Sequence, residues 1–233
     1  MENKNKQNER PFHEDVTHSR VAMQDEISGR VTRIEKEFKE AFEFIKCYPR
    51  SVSFFGSSRS RENDPYYEKA RALAGRIAKD LQYTILTGGG KGIMEGANRG
   101  AFEAGGESVG LNITLPTEQL PNEYTSDQMN FYYFFTRKVA LSFAAEAYIF
   151  FPGGFGTLDE FFEIATLVQT RKIPSVPIIL YGREFWENLS HFIEENLLKK
   201  HGAIDEEDMS LYTITENEEE IIEIIKNAPL QHG

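Results

Sequence analysis

The stretch Phe150-Phe151-Pro152-Gly153-Gly154-Phe155-Gly156-Thr157-Leu158-Asp159-Glu160 constrains the fold of this chain more than any other. The apolar run Ala147–Phe151 reads as a buried strand, and a helix starts near Thr157. Strand, glycine turn and helix together present free backbone N–H groups to an anion. Gly153, Gly154 and Gly156 let the main chain approach a ligand with no Cβ in the way. Thr157 adds a hydroxyl, and Glu160 adds a carboxylate one turn in. The same Thr157-x-x-Glu160 spacing also fits a capping box, in which threonine caps the helix and glutamate reaches back to it. It is not a Walker motif: no Gly-Lys-Ser/Thr is present, and no G-x-G-x-x-G opens the helix.

The rest of the chain repeats this alternation. Residues 1–20 are polar and read as a mobile arm, and residues 21–233 read as a single domain. Ile27 to Cys47 has helical spacing of Val31, Ile34, Phe38, Phe42 and Ile45. Ser51–Phe55 is a first strand, followed by Gly56-Ser57-Ser58-Arg59, where backbone and hydroxyls can touch a nucleotide. Asp64-Pro65 opens a helix to about Leu81. Tyr83–Thr87 is a second strand. It leads through Gly88-Gly89-Gly90 into a helix over Gly92 to about Ala104, with Glu95 in its first turn. Gly96-Ala97 and Gly100-Ala101 suit close packing.

Ser108–Ile113 is a third strand. Leu115–Thr125 reads as a loop with the size to cover a pocket, and the aromatic Asn130–Phe135 as a fourth strand. Arg137-Lys138 then begins a helix. Two cations at a helix start oppose the macrodipole, so a bound phosphate or a carboxylate should offset them. After Leu158 to about Thr170 come a late strand, Pro177–Tyr181, and a helix, Phe185–Lys200. The acidic tail, Asp205–Glu207 and Glu216–Glu220, reads as solvated surface ending in a short helix around Ile221–Ile225.

Strands alternating with helices predict an α/β fold: a Rossmann-like, doubly wound parallel sheet with helices on both faces. Connections of one hand then bring Gly56–Arg59, Thr87–Gly92 and Pro152–Thr157 together at the carboxyl ends of the strands.

Pro152–Glu160 fits the pattern PGGxGTxxE and resembles the LOG ("Lonely guy") family of cytokinin-riboside 5′-monophosphate phosphoribohydrolases, also labelled lysine decarboxylases. Gly88-Gly89-Gly90-Lys91-Gly92-Ile93-Met94-Glu95 resembles the second glycine motif of that family, and Arg137-Lys138 its basic pair. The similarity spans about Ser51 to Tyr181, with the motifs in the family's order. It implies Arg137 and Glu160 as the catalytic pair. It also implies substrate-binding roles for Gly56, Ser57, Ser58, Gly89, Gly90, Glu95, Lys138, Pro152, Gly153, Gly154, Gly156 and Thr157. The implied reaction splits the N-glycosidic bond of AMP, or of an N6-modified AMP, to free base and ribose 5-phosphate. It needs no redox cofactor and no metal. Assembly as a dimer or larger homo-oligomer is implied as well. A decarboxylase would need a Schiff-base lysine in a dedicated pocket, and no residue marks one. The same loops would also serve a non-catalytic module that binds a nucleotide or carries a nucleotide-linked cofactor.

Composition narrows the classes. A net charge of −11 argues against a nucleic-acid binder. One cysteine, Cys47, permits no intrachain disulfide and suits the cytoplasm. Scattered histidines with no Cys/His cluster argue against a zinc site. No apolar run has the length to cross a bilayer, so neither a membrane nor a nucleic acid is an expected partner.

Overall fold

The computed structural model describes residues 16–114 and 121–228, with side chains from residue 26 onward. Seven strands form one sheet: β1 (Ser51–Phe55), β2 (Thr84–Thr87), β3 (Ser108–Ile113), β4 (Asp127–Phe131), β5 (Ala147–Phe150), β6 (Ile178–Leu180) and β7 (Thr213–Ile214). Their order is β4-β3-β2-β1-β5-β6-β7, and every pairing is parallel. The chain moves outward from β1 to β4, then returns to the other side of β1 at β5. That reversal leaves a crevice at the carboxyl ends of β1 and β5, which pair with Phe54 opposite Ile149 and Phe55 opposite Phe150.

Among the described residues seven α-helices cover the two faces: α1 (Val16–Ile45), α2 (Pro65–Arg76), α3 (Ile93–Glu103), α4 (Phe134–Phe143), α5 (Phe155–Gln169), α6 (Arg183–Phe192) and α7 (Glu218–Lys226). Neighbouring strand residues point to opposite faces, so the sequence fills two cores at once. Phe55 and Phe150 pack with Ala41 of α1, Leu141 of α4, Phe161 of α5 and Trp186 of α6. Phe54 and Phe151 pack with Leu73 of α2, Ala97 of α3 and Ile221 of α7. Each aromatic side chain buried this fully contributes about 1.5–3 kcal/mol. Asp64 caps α2 by accepting from the Tyr66 N–H at 2.8 Å, with Pro65 at the first helical position. The small residues of α3 pack as their size requires: a Cβ on Gly100 would stand 1.9 Å from the Arg71 carbonyl of α2.

Several elements differ from the sequence reading. Residues 16–20, read as part of an arm, lie in α1; the remainder of the arm is outside the described residues, as are residues 115–120 of the loop read over Leu115–Thr125. The fourth strand ends at Phe131 rather than Phe135, and Phe134 and Phe135 enter α4 with 56% and 45% exposure. The reason is tertiary. Glu37 of α1 accepts from the N–H groups of Tyr132 (2.6 Å) and Tyr133 (3.3 Å) and from the Thr136 hydroxyl. That carboxylate fixes the start of α4 against the strand preference of the aromatic run. The carboxylates that offset the two cations at the start of this helix come from α5: Glu160 faces Arg137, and Asp159 and Glu163 pair with Lys138.

The helix after the long glycine motif starts at Phe155, capped by Gly154 with no side-chain cap. Thr157 is therefore its third residue, Glu160 lies in its second turn, and the capping-box reading is overturned. The acidic tail is more than solvated surface, because Arg76 donates to Glu218 at 3.1 Å and to Glu219 at 2.7 Å. β7, read as part of that tail, completes the sheet edge beside β6.

Candidate active site

Three glycine turns meet in the crevice. The Ser57 N–H donates to the Pro152 carbonyl at 3.0 Å, and the Ile93 N–H donates to the Ser57 carbonyl at 3.0 Å. The first turn is thus tied to the turn after β5 and to the start of α3. Gly92 has φ +72°, and a Cβ there would stand 2.2 Å from the Ser57 carbonyl. Only glycine permits that approach.

The turns enclose an open cavity of about 600 Å³. Of the residues implied by the sequence, Gly56, Ser57, Ser58, Gly90, Gly154, Gly156 and Thr157 line it, together with Arg137 and Glu160. Gly154 and Gly156 differ from the other glycines of the crevice. A Cβ on either would meet nothing within 4 Å, whereas one on Gly56, Gly88 or Gly153 would strike Ile93, Arg137 or Thr157. The fold has no packing use for bare main chain at Gly154 and Gly156, so the open space there is available to a ligand. The N–H groups of Phe155, Gly156 and Thr157 have no intrahelical acceptor, and they head a helix of 15 residues.

Five implied residues do not line the cavity. Pro152 supplies the carbonyl that holds Ser57, and Gly153 lies behind the Thr157 hydroxyl. Gly89, at φ +68°, is pressed against the Asn112 side chain. Glu95 is buried, paired with Lys91 at 2.8 Å and contacted by the Tyr67 hydroxyl at 3.5 Å. Lys138 points to α5, where it pairs with Asp159 at 2.8 Å and Glu163 at 3.3 Å.

Arg137 is the best-held group in the cavity, 8% exposed. Its Nε donates to the Leu111 carbonyl on β3 at 2.6 Å, and one Nη donates to the Gly88 carbonyl just after β2 at 3.4 Å. The other Nη faces Glu160 Oε1 at 4.0 Å, close enough for charge attraction and too far for a hydrogen bond. Burial pulls the guanidinium below its ordinary range, and the Glu160 charge opposes that pull. Burial pushes Glu160 the other way, up to about 7; Arg137 and Lys138 hold it down, while Asp159 and Glu163 raise it further. A carboxyl group pushed towards neutrality in a cleft, with no hydrogen-bond partner fixing it among the described residues, is suited to proton transfer or to charge stabilisation.

Sequence reasoning did not single out four apolar residues of the lining, Met94, Ile113, Phe134 and Phe155, although the aromatic stretch Asn130–Phe135 offered a ring that could stack on a base. Phe155 occupies the free position of the glycine motif and is 95% exposed, so its ring is not there for packing. Phe134 was hidden by the strand reading.

Residues 94–225 match the family model described as "Possible lysine decarboxylase". That is more than half of the chain. The chain belongs to this family, the LOG family. Among its relatives is a rice (Oryza sativa subsp. japonica) protein named as a probable cytokinin riboside 5′-monophosphate phosphoribohydrolase. It is 26% identical over 178 residues, covering 74% of this chain and 75% of the relative. A bacterial protein of Rhodococcoides fascians, named as a cytokinin riboside 5′-monophosphate phosphoribohydrolase, is 24% identical and covers 67% of this chain and 77% of its own. Among solved structures, the structural-genomics target TM1055 superposes with a TM-score of 0.57 at 23% identity, covering 76% of this chain and 98% of that one. A molybdenum cofactor binding protein from Rippkaea orientalis gives 0.54 at 21% identity, covering 76% and 93%. These two structures share the fold of this LOG-family chain. Among the described residues no helix is long and apolar enough to cross a membrane.

Proposed function

We propose that this LOG-family protein is a nucleoside 5′-monophosphate phosphoribohydrolase acting on AMP or an N6-modified AMP. The observation that carries the reading is the Arg137–Glu160 pair in a cavity that also holds a helix N-terminus with no side-chain cap. The 5′-phosphate would lie against the free amides of Gly156 and Thr157 and the Thr157 hydroxyl. The rings of Phe134 and Phe155 offer flat apolar surface to the base.

Cleavage sends the C–N bonding pair to the departing base and leaves positive charge on the sugar. Glu160, ionised, faces that charge or takes a proton from the attacking water. Water supplies the hydroxyl of ribose 5-phosphate and its remaining proton ends on the base, so atoms and charge balance. Arg137, anchored to two main-chain carbonyls, keeps a fixed cation beside the carboxylate. The pyridoxal-dependent decarboxylation that the family description suggests would need a Schiff-base lysine, and among the described residues lining the cavity none is lysine.

The test is direct. Purified protein with AMP should release adenine and ribose 5-phosphate in equal amounts. AMP bound but intact at high protein concentration would favour the other reading, a nucleotide or nucleotide-cofactor carrier. The shared fold with a molybdenum cofactor binding protein is compatible with such a carrier. That reading gives no use to a carboxyl group poised near neutrality.

Gly156→Ala separates ligand space from fold. The added Cβ meets nothing, and alanine favours the helix over glycine by about 1 kcal/mol. Thermal stability should hold or rise, while KM for AMP should increase about tenfold, the loss of roughly one hydrogen bond to a charged group. A lowered melting temperature with unchanged KM would remove Gly156 from the site.

The protein is further proposed to act in the cytoplasm, checked by fractionation, and to self-associate through the outer faces of α1, α4 and α5. Ile27, Val31, Phe42, Phe135 and Phe162 are each more than 40% exposed there. Light scattering should give a multiple of the chain mass, and a monomer at micromolar concentration would oppose the assembly.

A further inference from the structure

We propose that Lys138 is a positioning residue: by clasping Asp159 and Glu163 it sets the spacing of α4 and α5, and so holds Arg137 and Glu160 at 4.0 Å without touching the nucleotide. Its kinetic arm rests on the hydrolase reading above; its titration arm does not.

The two helices meet through two rungs built from consecutive residues. Arg137 and Lys138 are neighbours on α4, and Asp159 and Glu160 are neighbours on α5. The inner rung, Arg137 to Glu160, lines the cavity; the outer rung, Lys138 to Asp159, lies outside it. Lys138 also reaches Glu163, one turn beyond Asp159 on the same side of α5. Two carboxylates at that spacing repel each other, and the ammonium between them removes the repulsion. Lys138 is only 23% exposed, against 60% for Asp159, so its head is turned onto α5 rather than into solvent or the cavity. Burial lowers its proton affinity, and the two carboxylates more than restore it, so it stays a cation.

A direct phosphate role fits this geometry poorly. The amides proposed for the phosphate are at the first turn of α5, whereas Asp159 and Glu163 lie further along that helix. To bind phosphate, Lys138 would have to abandon both carboxylates and leave them unpaired beside Glu160. Exposed ion pairs add little stability, about 0–1 kcal/mol. The function of the clasp is therefore expected in the geometry of the inner rung more than in the melting temperature.

The charged groups facing Glu160 are Arg137 and Lys138 from α4 and Asp159 and Glu163 from its own helix, with Arg59 across the cavity. The experiment compares Lys138→Met, Lys138→Arg and the double variant Asp159→Asn/Glu163→Gln. Each is assayed for kcat and KM with AMP, for AMP affinity by calorimetry, and for the Glu160 titration by NMR of carboxyl-labelled, nucleotide-free protein. Lys138→Met should lose roughly tenfold in kcat through misplacement of the pair, with AMP affinity within about twofold. Lys138→Arg should recover most of the loss. The carboxylate double variant should lose kcat in the same way, although neither residue can bind a phosphate. Glu160 should titrate at higher pH in Lys138→Met and at lower pH in the double variant.

A tenfold weaker AMP affinity in Lys138→Met, with the double variant unaffected, would overturn the proposal and make Lys138 a phosphate ligand. An unmoved Glu160 titration in both would overturn it too. If the wild type binds AMP without turning it over, the hydrolase reading fails, and the titration and calorimetry still decide on the clasp.

Discussion

Glu160→Gln is expected to lower kcat for AMP by about 10²–10⁴-fold, the range of a positioned acid or base, while AMP affinity stays within about twofold. The expectation follows from where the side chain is. Glu160 lies in the second turn of α5, lines the cavity, and is not spent on a helix cap or a close hydrogen bond. The amide keeps the shape and removes the charge. Loss of nucleotide binding in step with turnover would instead make Glu160 a ground-state ligand.

The pH dependence of the same pair of proteins fixes the working protonation state. Burial raises Glu160 to about 7. If the carboxylate is the active form, wild-type kcat/KM rises with pH through that region. The second ionisation of a phosphate monoester, near ~6, also contributes a limb, and the residual activity of Glu160→Gln should keep that limb alone. A rate that falls as pH rises through 7 would assign the protonated carboxyl as the active form. The stability sign is opposite to that of an ordinary paired carboxylate. With its folded-state pKa raised, Glu160 favours the fold fully at low pH and loses that contribution as pH rises through about 7. Glu160→Gln should therefore melt at or above the wild-type temperature at pH 8.

Much of this was legible in the chain, for identifiable reasons. Phe54 with Phe55, and Ile149 with Phe150, fill opposite faces of a central strand pair, and the run Ala147–Phe151, apolar at every position, signals a strand buried on both sides. Local glycine patterns placed the turns, and a parallel sheet brought them to one rim. What the sequence concealed was tertiary. Glu37 stands some hundred residues before the helix it starts, so no local window relates it to Thr136, at a separation of 99. Thr157-x-x-Glu160 has the letters of a capping box, but the helix begins three residues earlier than that box requires because Gly154, not Thr157, serves as its cap. Lys138 and Arg137 look equivalent as letters, and only their positions on α4 send one into the cavity and the other onto α5.

Arg137→Met should cost more than a surface charge would, and its cost should depend on pH. The guanidinium satisfies the Leu111 and Gly88 carbonyls and faces Glu160, so truncation strands two main-chain acceptors and a buried carboxylate at once. Losing hydrogen bonds from a charged donor at a buried site costs about 1.5–3 kcal/mol, and this part should be present at any pH. The part owed to Glu160 should appear only where that group ionises. Without Arg137, the one cation of the inner rung, its pKa rises further, so the penalty grows as pH rises through and above 7. Unfolding by denaturant at pH 6 and pH 8 measures the difference. The double variant Arg137→Met/Glu160→Gln should be no more destabilised at pH 8 than at pH 6. Turnover should fall by about 10²–10³-fold in Arg137→Met, and the double variant should be little worse than Glu160→Gln, since groups that act as a unit are not additive. Multiplicative losses in the double variant, together with a stability cost indifferent to pH, would mean that the two side chains share a cavity without sharing a task.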